Sequence, residues 1–276
     1  MFSTEDLYEI ISFSIGDTKA GTKMGKMQLK NLNTGSTLNC ILWEETLNRL
    51  DCKTYRVGNQ IKLVTASYNE KFNNCLVTSF SLIKEAKAGL SPEERDVAFN
   101  ALVSRFTQIK DEKLRDFLLN YFKENEALIK VAPAAKAMHH NYLGGLLVHT
   151  AECLDFLEAN YPLFRHNINH DEAMAACIMH DMGKIFEYNY DEKNGIIDYN
   201  EDFKKTWITH SQYGFSLMMN AGFVNIARMI AAHHGRADWG AIIDLNEKDL
   251  DDNLYLVHLI DNLSAKFGKT SVRHLE

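Results

Sequence analysis

Two spacings of apolar residues divide the chain, one with a period of two residues and one with a helical period. Up to about residue 85, short segments rich in apolar and β-branched residues are separated by turn signals, with the clearest alternation in residues 38–43 and 61–64. This pattern is typical of half-buried strands. The predicted strands cover residues 8–15, 24–31, 37–43, 60–68 and 74–83.

A short helix is predicted over residues 44–50, between the third and fourth strands. Five strands with a helix after the third is the order of a small Greek-key barrel of the OB type. The pattern alone leaves an SH3-like barrel as the alternative. We therefore expect an OB-like nucleic-acid-binding barrel over residues 1–85.

From residue 91 onward the apolar residues recur at helical spacing. Ser91-Pro92-Glu93-Glu94 is a capping box with proline at the first helical position. It predicts one helix, and a second is predicted around residues 114–122, both in a connector over residues 86–130. Further helices are predicted over 134–159, 171–183, 207–220, 223–233 and 249–267, in a domain over residues 131–276. The predicted fold class is two-domain, β first and then all-α.

Composition and charge narrow the class of protein without identifying a substrate. A hydrophobic content of 46% is ordinary for a globular protein, and a net charge of −7 argues against a broad basic face that coats nucleic acid. The five cysteines form no C-x-x-C pair, so neither a disulfide framework nor a cysteine zinc site is indicated. No membrane span or signal peptide is predicted, and cytoplasmic residence is expected. The final Leu275-Glu276 is typical of the remnant of an expression tag.

Polar groups interrupt apolar stripes on several separate helices of the second domain. The interrupting residues are His149, the pair His180-Asp181, the pair His233-His234 and Asp261. Burying an imidazole or a carboxylate is unfavourable unless it is paired or binds a metal. Their repetition therefore predicts a metal centre. Mixed imidazole and carboxylate ligands suit manganese, iron, cobalt, nickel or zinc, and they suit a magnesium-only site poorly.

The order of these residues resembles the HD superfamily of metal-dependent phosphohydrolases, and the intervening His210 and His233-His234 resemble its subset with a dinuclear centre. Further segments extend the match: Ala132-Pro133-Ala134-Ala135-Lys136, His139-His140-Asn141-Tyr142-Leu143-Gly144-Gly145-Leu146, His149-Thr150, His180-Asp181-Met182-Gly183-Lys184, His233-His234-Gly235 and Ile260-Asp261-Asn262-Leu263. With these segments the chain resembles the YhaM-type 3′-to-5′ exoribonucleases, in which an OB-like barrel precedes the HD domain.

This resemblance implies two divalent metal ions, with manganese expected and iron, cobalt, nickel or zinc as alternatives. The expected ligands of the first ion are His149, His180, Asp181 and Asp261. The expected ligands of the second ion are Asp181, His210 and one of His233 or His234. Asp181 would bridge the two ions. We favour His233 as the direct ligand, with His234 behind it or facing the substrate.

The activity implied is hydrolysis of single-stranded RNA, or alternatively DNA, from the 3′ end to nucleoside 5′-monophosphates by a metal-activated water. The expected catalytic residues are Asp181, Lys184 and His234. Lys184 would stabilise charge on the phosphate. His139 and His140 are expected at the pocket entrance, with helix-capping or surface positions as the alternative. Family resemblance also suggests assembly into homo-oligomers.

The chain departs from the family pattern at two places near the second histidine pair. Residues 236–241 read Arg-Ala-Asp-Trp-Gly-Ala, where the family usually has a basic residue followed by glutamate, an aromatic, glycine, serine and proline. Thr209-His210-Ser211 stands where Gly-His-Ile is common. Both changes fall at the expected substrate rim, which includes Arg236. We therefore expect metal binding to be retained, whereas the resemblance does not carry over a preference for substrate length or base.

Lysines gather around the first hairpin of the barrel, and aromatic residues follow in the later strands. The lysines are Lys19, Lys23, Lys26 and Lys30, and the candidate stacking residues are Trp43, Tyr68 and Phe72. OB folds bind single strands by pairing a basic groove with aromatic platforms. The alternative is that Trp43 belongs to the core and the lysines form a solvated edge.

Two other functions stay open. One is a phosphodiesterase for cyclic or short linear nucleotides, since related dinuclear HD domains resemble that class. The other is a non-enzymatic, DNA-binding regulatory factor in which the barrel binds and the metal site is incidental. The intact set of candidate ligands argues against the latter, because buried polar groups without partners are poorly tolerated.

Overall fold

The computed structural model describes residues 3–50, 52–84, 89–136, 140–163, 168–191 and 196–267. The chain divides into two compact units, one that carries a β-barrel and one that begins at Gly89 and carries the long helices. Within the described residues, no helix combines the length and the apolar character that crossing a bilayer requires.

The first unit is a closed five-stranded barrel. Its strands are β1 (Leu7–Asp17), β2 (Lys23–Asn31), β3 (Thr37–Trp43), β4 (Gln60–Asn69) and β5 (Asn74–Lys84). The order around the barrel is β1-β2-β3-β5-β4, and β4 closes it by pairing with β1. Strands β3 and β5 are parallel, and helix α1 (Glu44–Arg49) follows β3. The predicted OB-like barrel is confirmed.

Alternation along the strands separates the barrel core from its outer surface. Side chains such as Ile10, Leu42 and Ile61 point inward and are fully buried. Each such burial contributes about 1.5–3 kcal/mol to folding. Trp43, at the end of β3, points the other way and is 47% exposed. It is therefore an outer-surface residue and not part of the core.

The second unit is helical. Its helices are α2 (Pro92–Ser104), α3 (Glu112–Glu124), α4 (Glu126–Val131), α5 (Gly145–Asn160), α6 (His170–Met179), α7 (Lys184–Glu187), α8 (Glu201–Lys204), α9 (His210–Asn220), α10 (Val224–Ala232) and α11 (Tyr255–Phe267). Two further strands, β6 (Tyr188–Asp191) and β7 (Ile196–Tyr199), form a separate two-stranded sheet. The capping box before α2 is confirmed, because the side chains of Ser91 and Glu94 each bond the other's backbone N–H.

Several features differ from the sequence prediction, three of them near the candidate site or in unpredicted strands. The helix predicted over 134–159 begins only at Gly145, because His140 and Gly144 adopt left-handed backbone conformations with φ of 53° and 76°. Such residues interrupt a right-handed helix. The last helix begins at Tyr255, later than predicted. The hairpin of β6 and β7 was not predicted, because strands of four residues each are too short to show a clear period.

Helices α5 and α6 lie at the centre of the helical unit and are apolar on nearly every side. Helix α5 packs against α6 and α11, and α10 packs against α6, α9 and α11. A helix that is apolar all round is buried. The few polar side chains on these helices must therefore find partners inside the protein.

Candidate metal centre

Five helices deliver the predicted ligand residues to one place. His149 lies in the first turns of α5, and Asp261 lies within α11. His180 and His233 are the residues that end α6 and α10. His210 begins α9, whose N-terminus is set by a capping box formed by Thr209 and Gln212.

A first group forms around the Nε2 atom of His149. This atom lies 3.2 Å from Nε2 of His180, 3.3 Å from Oδ2 of Asp181 and 3.3 Å from Oδ1 of Asp261. Nε2 of His180 lies 3.5 Å from the same oxygen of Asp181. Both imidazole rings are fully buried. Two imidazole nitrogens and two carboxylate oxygens therefore converge on one point.

A second group forms around the other oxygen of Asp181. Oδ1 lies 3.6 Å from Nε2 of His210 and 3.8 Å from Nε2 of His233. Nε2 of His234 lies 3.0 Å from Nε2 of His210, and one nitrogen from each of the three rings lies within 4.8 Å of the others. Both His233 and His234 therefore belong to this group, and Asp181 joins it to the first group.

Hydrogen bonds on the far side of three rings set their orientation. Nδ1 of His180 lies 2.8 Å from the carbonyl oxygen of Cys177, and Nδ1 of His233 lies 2.7 Å from that of Ile230. Nδ1 of His210 lies 2.5 Å from Oε2 of Glu187. Since carbonyl and carboxylate oxygens accept, each Nδ1 carries the hydrogen and each Nε2 lone pair faces the centre.

The donor set fits a metal ion. Among the described residues, the buried Nε2 of His233 has no hydrogen-bond partner. A buried acceptor in this state calls for an ion or a water. Neutral imidazoles with carboxylates are ligands of transition metals. The two groups are thus candidate metal sites.

Charges around Asp181 keep its carboxylate ionised. Burial alone would raise the pKa of Asp181, but the ammonium group of Lys184 and the imidazole contacts outweigh burial and hold that pKa well below its usual range. Nζ of Lys184 lies 2.6 Å from Oδ2 of Asp181. For Lys184 burial alone would lower the pKa, but the negative charges of Asp181 and Asp261 outweigh burial and raise the pKa above its ordinary value.

The imidazole rings differ in how their surroundings affect protonation. Burial lowers the pKa of His180 and of His233, and it lowers the pKa of His234 to about 4. These rings are neutral near pH 7, which is the form that binds metals. Burial also works to lower the pKa of His149, but Cys153 and the neighbouring carboxylates outweigh it and raise that pKa. A metal ion would have to displace this proton.

Gly183 lets the second group assemble. A Cβ atom at this position would lie 2.6 Å from the Cα and the carbonyl oxygen of His210. Any side chain would push the start of α9 away from Asp181. The glycine two residues after the His180-Asp181 pair therefore has a steric role in the centre.

The residues predicted to bind substrate in the helical unit have different positions. His139 lies outside the described residues. His140 is fully buried, with Nε2 at 3.1 Å from Oε2 of Glu152, so it does not lie at an exposed entrance. Arg236 is exposed, forms two hydrogen bonds to Asp238, and holds its guanidinium 5.1 Å from the ring centre of Trp239.

On the barrel, the predicted aromatic residues share one face. Trp43, Tyr68 and Phe72 are exposed and line a groove together with Ile41 and Leu76. Lys26 is exposed and is the register partner of Ile41, so it lies beside that groove. Lys23 is also exposed but forms an ion pair with Asp17 at 2.8 Å.

Four residues that contact the predicted ligands were not identified from the sequence. They are Glu152, Cys153, Glu187 and Ser264. Sγ of Cys153 lies 3.8 Å from Nε2 of His149, and burial raises the pKa of this thiol. Glu152 follows His149 by three residues and Ser264 follows Asp261 by three, a spacing that places each pair on one helix face. This spacing from a predicted ligand could have identified Glu152 and Ser264. No comparable pattern in the sequence marks Glu187.

Comparisons with known proteins agree with this geometry. Residues 146–266 match the HD domain family. The chain is 24% identical over 223 residues to the 3′-5′ exoribonuclease YhaM of Oceanobacillus iheyensis, covering 78% of this chain and 65% of that protein. It is 24% identical over 227 residues to YhaM of Bacillus subtilis, covering 79% and 67%. The chain thus spans about two thirds of the length of these relatives.

A relative of different activity also matches. The dihydroneopterin 2′,3′-cyclic phosphate phosphodiesterase of Methanocaldococcus jannaschii is 27% identical over 191 residues, covering 62% of this chain and 71% of that protein. No solved structure matches the chain. The chain therefore carries an HD domain and is homologous to YhaM exoribonucleases, in agreement with the predicted resemblance.

Proposed function

We propose that this chain is a metal-dependent phosphodiester hydrolase that removes nucleotides from the 3′ end of single-stranded RNA. The position of Asp181 carries the proposal. Its Oδ1 lies 3.6 Å from Nε2 of His210, and its Oδ2 lies 3.3 Å from Nε2 of His149. One carboxylate thus has an oxygen in each group, which suits a bridging ligand. The homologous YhaM exoribonucleases support the reaction.

The two groups divide the ligands between two divalent cations, with manganese proposed as the metal. The first would be held by His149, His180, Asp181 and Asp261. The second would be held by Asp181, His210, His233 and His234. Two bound cations supply an activated water and a clamp on the phosphodiester. Lys184, whose ammonium group lies beside Asp181, offers a positive charge to a phosphate oxygen.

The barrel is proposed to hold the single strand. Trp43, Tyr68 and Phe72 expose their rings along one groove, and every base can stack on such rings regardless of sequence. Lys26 beside the groove can contact the phosphate backbone. In the helical unit, Arg236 and Trp239 follow His234 within five residues. They are proposed to offer a cation and an exposed ring to the RNA. Single-stranded DNA is the alternative substrate.

An end-labelled RNA tests the reaction. With purified protein and Mn²⁺, a 5′-labelled oligonucleotide should shorten one nucleotide at a time and release nucleoside 5′-monophosphates. A chelator should stop the reaction. Intact RNA in the presence of bound metal, or cuts at internal positions, would contradict the proposal.

A second candidate is a phosphodiesterase for cyclic or short linear nucleotides. The similarity to the cyclic phosphate phosphodiesterase of Methanocaldococcus jannaschii favours it. Side-by-side rates on a long RNA, a dinucleotide and a 2′,3′-cyclic phosphate separate the two. Faster turnover of the small substrates would select the second candidate.

A further inference from the structure

We propose that a buried hydrogen-bond chain from His149 through Ser264 to Glu152, with His140 packed against Glu152, fixes His149 in the tautomer and orientation that bind the first metal ion. Ser264 is then a positioning residue and not a ligand. The inference rests on the proposed metal centre and adds residues to it. All of the atoms involved lie in the helical unit and are described by the structure.

One face of α11 contacts both nitrogens of the His149 ring. Oδ1 of Asp261 lies 3.3 Å from Nε2, and Oγ of Ser264 lies 3.0 Å from Nδ1. Residues three apart share a helix face, so a single helix sets both contacts. A ring flip would replace Nδ1 by a carbon and lose the contact with Ser264. The ring orientation is therefore determined by α11.

The direction of the hydrogen bonds determines the tautomer. Oγ of Ser264 donates to Oε2 of Glu152 at 2.8 Å. A hydroxyl has one hydrogen, and that of Ser264 goes to the carboxylate oxygen of Glu152. The hydroxyl oxygen of Ser264 must then accept from Nδ1 of His149. In the neutral ring, Nε2 keeps its lone pair and faces Asp181 and Asp261, as metal binding requires.

Glu152 is the end point of this chain and is itself held from two sides. Its side chain is 4% exposed, and it follows His149 by three residues on α5. Oε2 accepts from Ser264 and lies 3.1 Å from Nε2 of His140. A buried carboxylate needs such partners to be tolerated. The position of Glu152 in turn keeps the hydroxyl hydrogen of Ser264 directed away from His149.

The backbone around His140 is built to hold this ring inside the protein. His140 has a φ of 53°, and its carbonyl oxygen accepts from the backbone N–H of Ala134 at 3.1 Å. A Cβ atom at Gly145 would lie 2.0 Å from that oxygen. A non-glycine residue in the left-handed region is strained and persists only where its surroundings impose it. The glycine-rich segment before α5 thus places His140 against Glu152.

Two variants separate positioning from simple packing. Ser264→Ala removes the acceptor of the Nδ1 hydrogen. Glu152→Gln keeps the size of the side chain, but its amide can donate to Ser264, which lets the hydroxyl turn and donate to His149. The wrong tautomer then becomes available. Loss of an outer partner of a ligating histidine weakens metal affinity by about 10- to 100-fold.

The matched control is Ser211→Ala. Ser211 is fully buried beside His210, and its hydroxyl has no hydrogen-bond partner among the described residues. Metal-free proteins are titrated with Mn²⁺ by calorimetry and with Co²⁺ by visible absorption, and their thermal unfolding is recorded without metal. Activity is not needed as a readout.

We expect wild type and Ser211→Ala to bind two ions, and both test variants to remain folded without metal but to bind one of the ions about 10- to 100-fold more weakly. Affinities within twofold of wild type would overturn the role of Ser264 and Glu152 and leave the proposed function standing. A wild-type protein that binds no metal would overturn both. If Ser264→Ala does not fold, the isosteric Glu152→Gln decides.

Discussion

His180 and His233 are oriented by the same device. Each ends a helix, and each directs Nδ1 to the carbonyl oxygen of the residue three positions earlier, at 2.8 Å and 2.7 Å. Their ring centres lie 5.2 Å apart at an angle of 73°. The last carbonyl groups of a helix lack partners within it. In each case a carbonyl group at the helix end accepts from the ring and orients its Nε2 towards Asp181.

Replacing Asp181 should remove both metal ions. Its oxygens face different groups, so Asp181→Ala takes a ligand from each and also leaves Lys184 without its partner. We expect metal content to fall from two ions to less than one. Nucleotide release should fall by more than about 100-fold, because even an outer partner is worth 10- to 100-fold in metal affinity or activity.

Elemental analysis and the labelled-RNA assay check this result. The control is Asp116→Ala, which removes an exposed carboxylate on α3. Two retained metal ions in Asp181→Ala would show that this carboxylate does not bridge.

Replacing one histidine of each group should separate the sites. His149→Ala removes a donor of the first group only, and His210→Ala removes a donor of the second group only. Each variant is expected to keep one ion with an affinity close to wild type and to lose activity. Calorimetric titration gives the number of sites. Loss of both ions in both variants would mean that the two groups form a single site.

Removing aromatic rings from the barrel should weaken RNA binding without unfolding the protein. Trp43 and Phe72 are exposed, so Trp43→Ala and Phe72→Ala leave the core intact. Each lost stacking contact is worth about 1–3 kcal/mol, or roughly 5- to 150-fold in Kd. Fluorescence anisotropy with labelled RNA measures the change. Val64→Ala, an equally exposed position on β4, should bind as wild type; equal loss in this control would contradict a specific groove.

The metal-free protein should lose stability as the pH falls from about 6.5 towards about 4. Burial lowers the pKa of His233, and it lowers the pKa of His234 to about 4. Unfolded rings take up protons near pH 6.5, whereas these folded rings do so only at lower pH. Unfolding therefore binds protons in this window, and acid favours the unfolded state by at most about 1.4 kcal/mol per pH unit for each ring.

His149 contributes with the opposite sign. Its pKa is raised in the folded protein, so its stabilisation is fully present below the unfolded value and is lost as the pH rises through the folded one. His140, His180, His233 and His234 all have lowered pKa values and outnumber it. Urea unfolding with a chelator at about pH 7 and about pH 5 measures the balance. Equal or greater stability at the lower pH would contradict the prediction, and His234→Gln should reduce the slope.

The order of the ligands and the type of most elements were predictable from the sequence. Alternation over residues 38–43 and 61–64 predicted strands, and the capping box at Ser91 predicted the start of α2. These signals are local, because strand and helix periods act between near neighbours. Histidines and aspartates inside apolar helices likewise indicated a metal centre, since an isolated buried polar group is unfavourable.

Only the tertiary structure decided how these residues meet. It brought His233 and His234 together with His210 in one group, moved His140 from an expected pocket entrance to the interior, and joined Ser264 to His149 across 115 positions of the chain. Such contacts depend on how α5, α6, α10 and α11 pack, and no local period carries that information. The sequence alone determined which groups can bind a metal, whereas packing determined which oxygen each nitrogen faces.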